Sequence, residues 1–232
     1  MDCTNAELHF HTAETSVCAA APACESIPFY KEQGYDLVVV TDHFNSTYFE
    51  GTEGCSTERW KNECERWFAG WYAAKEAGER YGITVLHGAE FQLKGHMCEL
   101  LVYGMTDEMF LETPRLFDLS VEELSAFAKE NHLFVTLAHP FRRQDQPDTS
   151  LYHGAEICNT RISAEKNEEA RIFAIENGLT PVCGQDFHRF EHMRGVMTRF
   201  NGEVRDNETL VDKLFARDFE LIIPGGEYKR AK

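Results

Sequence analysis

Short apolar runs that each stop at a histidine or a carboxylate recur along this chain, and that recurrence limits the fold more than any other feature. Glu7-Leu8-His9-Phe10-His11-Thr12 opens the series. Side chains alternate faces along a strand, so His9 and His11 point one way while Leu8 and Phe10 point the other. Asp36–Val40, apolar and β-branched, ends in Thr41-Asp42-His43. Ile83–Leu86 leads to His87-Gly88-Ala89-Glu90, Leu133–Ala138 to His139-Pro140, and Val182-Cys183 to Gly184-Gln185-Asp186-Phe187-His188. Leu100–Tyr103, Ala155–Cys158 and Glu220–Ile223 read as further short strands.

Helical signals fill the gaps. Pro22 suits a first helical turn and Gly34 the position past the end of a helix over 22–33. Beyond a Gly- and Thr-rich loop, Trp60, Cys64, Trp67, Phe68 and Trp71 share one face of a long helix reaching about Tyr81. Core packing accounts for that face better than ligand binding does. Ser120-x-x-Glu123 is a capping box, followed by the stripe Val121, Leu124, Phe127 and Ala128. A helix over 163–177 stops at Gly178, and another covers 207–216. Strands and helices thus alternate about seven times over 232 residues, with no repeat or clear linker, which predicts a single domain over 1–232. The alternation points to a parallel α/β fold, closed or nearly closed into a barrel. An open doubly wound sheet is the alternative, but it usually carries a G-x-G-x-x-G loop, and none is present.

In a parallel barrel the carboxyl ends of the strands share one face, where active sites sit. His9, His11, His43, Glu90, His139, Asp186 and His188 would all meet there. Asp186 and His188 repeat the two-residue spacing of His9 and His11. Asp42 and His43 are adjacent, so a regular strand turns only one inward; His43 is read as a ligand and Asp42 as its orienter or a turn residue. His87 is expected to pack or hydrogen-bond beneath the others. Imidazole and carboxylate donors suit Zn, Mn or Fe, whereas a hard Mg site would use fewer histidines. Closely spaced divalent ions make a hydroxide available near neutral pH and neutralise phosphate oxygens, which favours in-line hydrolysis of a phosphoester. Asp186, His188 and Glu90 are the residues expected to carry that chemistry. Arg142 and Arg143 follow His139-Pro140-Phe141, Arg161 follows Asn159-Thr160, and Arg189 and Arg194 follow His188. A surface ion pair is the ordinary role of any one of them, but arginine's fork suits phosphate, and Arg142 and Arg194 are the first candidates for substrate binding.

The formal charge of −16 disfavours nucleic-acid backbones and anionic membranes, so a small phosphorylated substrate fits better than a polynucleotide. The chain starts without a cationic and apolar leader, and no apolar run approaches the ~20 residues of a membrane helix. Its eight cysteines form no C-x-x-C pair, and they are expected to be reduced thiols of a cytoplasmic protein. The residues leave the oligomeric state open.

The order E-L-H-F-H-T, T-D-H, G-A-E, A-H-P and D-F-H resembles the polymerase and histidinol phosphatase (PHP) family of metal-dependent phosphoesterases, from Glu7 to about Ile223. The resemblance implies a distorted (β/α)7 TIM-like barrel holding two or three divalent metal ions. It implies a first ion on His9, His11, Glu90 and Asp186, a second on Glu90 and His139, and a third on His43 and His188. Two positions depart from the family pattern. Glu99 stands where a histidine is often found, and Glu14 is the near oxygen donor after the HxH pair; both are carried as candidate ligands. The implied activity is that of a phosphatase, with histidinol phosphate one possible substrate. A phosphodiesterase or exonuclease on the same centre, and an amidohydrolase-type C–N hydrolase, are the competing enzymes. A metal-free scaffold should have lost ligands, whereas the first set is complete.

Overall fold

The computed structural model describes residues 3–142 and 152–228, whose strands join in one sheet that curls nearly closed. Strands β1 (Cys3–Phe10), β2 (Leu37–Val40) and β4 (Thr84–Gln92) run parallel. Strand β5 (Glu99–Tyr103) returns antiparallel between β4 and β6 (Phe134–Leu137), and β7 (Gly154–Asn159) and β8 (Thr180–Gly184) resume the parallel order. Closure comes just past β8. Phe187 bridges Phe10 in parallel, with His11 N–H donating to Phe187 O at 3.0 Å and Phe187 N–H to His9 O at 3.1 Å. A short β3 (His43–Asn45) pairs with the end of β4. Beyond β1, strands β9 (Met197–Asn201), β10 (Phe219–Ile223) and β11 (Gly226–Tyr228) add an antiparallel wing. Since β9 takes the first half of β1, β8 can reach β1 only near Phe10, which distorts the barrel. The seven-stranded, distorted TIM-like barrel expected from the motif order is therefore the fold, with one correction: β5 is reversed.

Helices α1 (Ala23–Glu32), α2 (Thr57–Trp67), α3 (Ala69–Tyr81), α4 (Asp107–Glu112), α5 (Val121–Glu130), α6 (Ala164–Glu176) and α7 (Asn207–Ala216) lie between the strands. Strand β2 is covered on both faces, so all four of its residues are buried and it reads as an unbroken apolar run. The Trp-rich face packs into the core, as expected. Phe44 stands 4.8, 5.2 and 5.4 Å from Phe91, Phe110 and Phe117, and Trp60 and Trp67 close over them. Burying each such ring contributes roughly 1.5–3 kcal/mol.

The single long helix expected over this region is broken in two, between α2 and α3. The Thr15 hydroxyl donates to Trp67 O at 2.9 Å and accepts Gly70 N–H at 2.9 Å, taking the place of a rung of the helical ladder. Only glycine fits at position 70, because a Cβ there would stand 1.9 Å from Thr12 Oγ1. The break thus lets the loop after β1 sink into the helix layer, which fixes Thr12, Thr15 and Ser16 beneath the barrel mouth.

Candidate metal centre

Four donors from three strands meet at the mouth. His9 Nε2 lies 3.1 Å from His11 Nε2, 3.4 Å from Glu90 Oε1 and 3.7 Å from Asp186 Oδ1. His11 Nε2 lies 3.4 Å from Glu90 Oε2 and 3.6 Å from Asp186 Oδ1. Donors that share a tetrahedral ion at ~2.0–2.2 Å stand ~3.3–3.6 Å apart, so His9, His11 and Glu90 have a spacing that could hold a metal ion. Glu90 Oε2 is buried and pairs with His43 Nδ1 at 2.8 Å, although no well-directed hydrogen bond reaches it. A buried acceptor without a hydrogen bond costs ~1–3 kcal/mol unless something cationic compensates.

The remaining ligand-type residues surround this set. Strand β3 puts His43 directly opposite Glu90 in register. His139 Nε2 stands 2.9 Å from Glu90 Oε1 and 3.5 Å from Glu99 Oε2. Glu99 is the first residue of β5, and it reaches the mouth because that strand is reversed: its start lies where the parallel strands end. His188 donates from Nδ1 to Asp186 O at 2.9 Å and turns Nε2 to Cys18 Sγ at 3.1 Å. Among the described residues, four groupings have donors within 4.8 Å of one another: His9, His11 and Glu90; His9, His139 and Asp186; His11, His43 and His188; His43, Glu90 and Glu99.

Buried polar groups hold these ligands from behind. The Glu156 carboxylate accepts His9 Nδ1–H at 3.0 Å, His139 N–H at 2.9 Å and Asn159 Nδ2 at 2.9 Å. Asp42 accepts Thr12 N–H at 2.8 Å and Ser16 Oγ–H at 2.7 Å. The Ser16 proton is thereby spent, so its oxygen accepts His11 Nδ1–H at 3.2 Å and leaves Nε2 facing the cluster. Glu7 accepts His9 N–H at 2.8 Å and Gln185 N–H at 3.0 Å; burial raises its carboxyl to about 7. Gly184 admits this stack, since a Cβ there would stand 2.5 Å from His9 Cβ. His139 and Asp186 carry φ of +31° and +50°, a region L-residues rarely adopt, which the surrounding hydrogen bonds impose on them.

Electrostatics follow from this packing. Burial works against charge on His9, yet Glu156, Asp186 and Glu90 together raise it well above the usual imidazole range. His11 is pushed well below that range by burial and by the charge of His43. Burial opposes ionisation of Glu90, but the charges of His43 and His9 hold it well below the usual carboxylate range. Positive charge is therefore stabilised at His9 and disfavoured at His11, though their Nε2 atoms stand 3.1 Å apart.

Two candidates, Glu14 and Arg194, have partners outside this cluster. Glu14 is exposed, and both its oxygens accept Ala23 N–H at the start of α1, at 3.0 and 3.1 Å. Pro22, at the N-cap, has no side-chain oxygen to accept a first-turn N–H, so the Glu14 carboxylate takes that role. Arg194 is also exposed and donates to Glu191 O and Met193 O of its own loop, at 2.5 and 2.8 Å. Arg142 does reach the cluster, 3.3 Å from Asp186 Oδ2 and 3.2 Å from His139 Nε2. Arg161 joins it there, 3.0 Å from Asp186 Oδ1 and 3.2 Å from His188 Nδ1. Arg143 lies outside the described residues. Glu156 is the supporting residue that sequence reasoning missed; a glutamate between Ala155 and Ile157 in an apolar strand was its signal.

No family model and no curated protein matches the sequence. Solved structures do share its fold. A two-domain protein from Bacteroides vulgatus that contains a predicted PHP-like metal-dependent phosphoesterase superposes with a TM-score of 0.66 at 16% identity. That match covers 95% of this chain and 65% of the other, so this chain spans less than two thirds of that protein. PsfC from Pseudomonas syringae gives a TM-score of 0.66 at 16% identity, over 97% of this chain and 93% of its own. An amidohydrolase from Chromobacterium violaceum, with bound sulfate and no metal, gives 0.59 at 15% identity, over 96% and 99%. The chain therefore has the fold of PHP-like structures, as its motif order led one to expect. Among the described residues no helix is long and apolar enough to cross a membrane.

Proposed function

We propose that this chain is a metal-dependent phosphatase acting on small phosphomonoesters. What carries the reading is the meeting of Arg142 and Arg161 with Asp186 inside a donor set spaced for divalent ions. His9, His11, Glu90 and Asp186 would hold one ion, Glu90, His139 and Glu99 a second, and His43 and His188 a third, with Zn, Mn or Fe as the metals. Such ions supply Lewis acidity and an acidified water, and stabilise a leaving alkoxide. Asp186, Glu90 and His188 fix the reacting centre. Arg142 lines a cleft with Met97, Glu99, His139 and Phe141. There its guanidinium and that of Arg161 would donate to phosphate oxygens that the metals leave uncovered. The net charge of −16 favours a compact substrate over a polynucleotide. Eight cysteines without a C-x-x-C pair accord with work in the reducing cytoplasm, and the 232 residues with one catalytic domain.

The likeness to an amidohydrolase with bound sulfate supports a second reading, C–N hydrolysis. A panel separates the readings: chelator-stripped protein reloaded with Mn or Zn is offered phosphomonoesters, phosphodiesters and amides. Monoesters should release phosphate fastest, and only after reloading. Faster diester cleavage would shift the assignment to a phosphodiesterase, amide cleavage alone would favour the amidohydrolase, and full turnover in the stripped protein would remove the metal from the reaction.

A further inference from the structure

We infer that Cys18 is a thiolate ligand, with His43 and His188, of the ion at the third corner of this centre; the inference rests on the metal-dependent reading above. Cys18 Sγ lies 3.1 Å from His188 Nε2. The other nitrogen of that ring donates to Asp186 O, so Nε2 carries the lone pair, which Arg161 Nη1 also approaches to 3.3 Å. The His43 ring stands 6.1 Å from that of His188, centroid to centroid. His11, His43 and His188 bring ring nitrogens within 4.8 Å of one another, and the His11 and His188 rings stand 4.3 Å apart, tilted by 43°. The buried Glu90 Oε2 faces the same corner, 2.8 Å from His43 Nδ1.

A sulfur at ~2.3 Å and a nitrogen at ~2.0–2.1 Å from one tetrahedral ion stand ~3.5 Å apart. The observed separation is a few tenths shorter, which a small rotation of Cys18 on its exposed segment relieves. Glu14, the oxygen donor nearer in sequence to the HxH pair, is held at α1, so sulfur takes the position an oxygen was expected to fill. The corner then offers two nitrogens and one sulfur with a fourth position open. Thiolate selects Zn, Fe or Co and disfavours Mg and Mn, so this corner differs in metal preference from the nitrogen and oxygen donors around Glu90.

Cobalt titration of the chelator-treated protein tests this. Wild-type protein should develop a near-ultraviolet thiolate-to-cobalt charge-transfer band. Cys18→Ser should lose the band together with about one equivalent of bound cobalt, and Cys18→His should regain the equivalent without the band. Cys98→Ser, altering a thiol in the cleft on the other side, should keep both. A wild-type protein that binds cobalt with no sulfur band, or a band that survives in Cys18→Ser, overturns the assignment while leaving the metal centre intact. Failure to bind cobalt at all would overturn both, and shows itself as zero stoichiometry.

Discussion

His9 and His87 are both buried histidines on strands of one barrel, and each places Nδ1 about a hydrogen bond from a carboxylate: Glu156 at 3.0 Å and Asp107 at 2.8 Å. Their surroundings then diverge. His87 is stacked at 4.8 Å on Trp71 and 5.3 Å on Trp67, with Phe110 at 5.1 Å. Burial lowers its pKa, and Asp107 offsets only part of the effect. Three carboxylates surround His9 and drive it the other way. Burial alone therefore does not mark a metal ligand. What distinguishes the two regions is how many charged donors converge on the free ring nitrogen: His11, Glu90 and Asp186 at His9, aromatic faces at His87.

The comparison breaks most readily at the ligands. Asp186→Ala or His9→Ala should cut metal-dependent turnover by roughly 10³-fold or more, because several kcal/mol of transition-state stabilisation go with the ion. Circular dichroism should still report a folded chain; unimpaired turnover in either variant would dissolve the assigned centre. His87→Ala should do the reverse. Emptying that aromatic slot should cost about 2–4 kcal/mol of stability, read by urea unfolding, while turnover per folded molecule is kept. Loss of bound metal in that variant would show the two regions to be one. Glu156→Gln sharpens the contrast, since it removes charge behind His9 while leaving the donors in place. A 10–100-fold weaker metal affinity by competition with a chelator is expected, the usual consequence of losing such a partner. The smallest effect belongs to Arg194→Ala, which should leave KM within about twofold, whereas Arg142→Ala should raise it ~10-fold or more through a lost charge-assisted hydrogen bond.

Much of this centre was legible because it obeys simple periodicity. His9 and His11 share a face by strand alternation, and the strand-end positions of His43, Glu90, His139 and Asp186 follow from parallel strands sharing one mouth. The misses have physical reasons as well. Nothing in Leu100–Tyr103 announces its direction, because antiparallel and parallel buried strands look alike in residue type; yet that direction decides where Glu99 points. The helix break at Phe68 depends on Thr15, far away in sequence, entering the ladder. Glu14 looked like a ligand by its distance from His11, but the unsatisfied amide of α1 competed for it. The same held for the arginines: nearness to His188 in sequence favoured Arg194, whereas the turn after β7 brings Arg161 onto Asp186 and His188.

The reversed β5 has a bearing on how such a barrel can change its clientele. Residues 93–98 form a hairpin tip rather than a crossover, and the tip lies at the same rim as the histidine and carboxylate cluster. A hairpin tip accepts insertions at little entropic expense, each doubling of length costing only ~0.6 kcal/mol. Lengthened or reshaped there, the chain could wall off one side of the entrance and refuse bulky guests, while the ladder from Gly88 to Glu99 kept every ligand where it is.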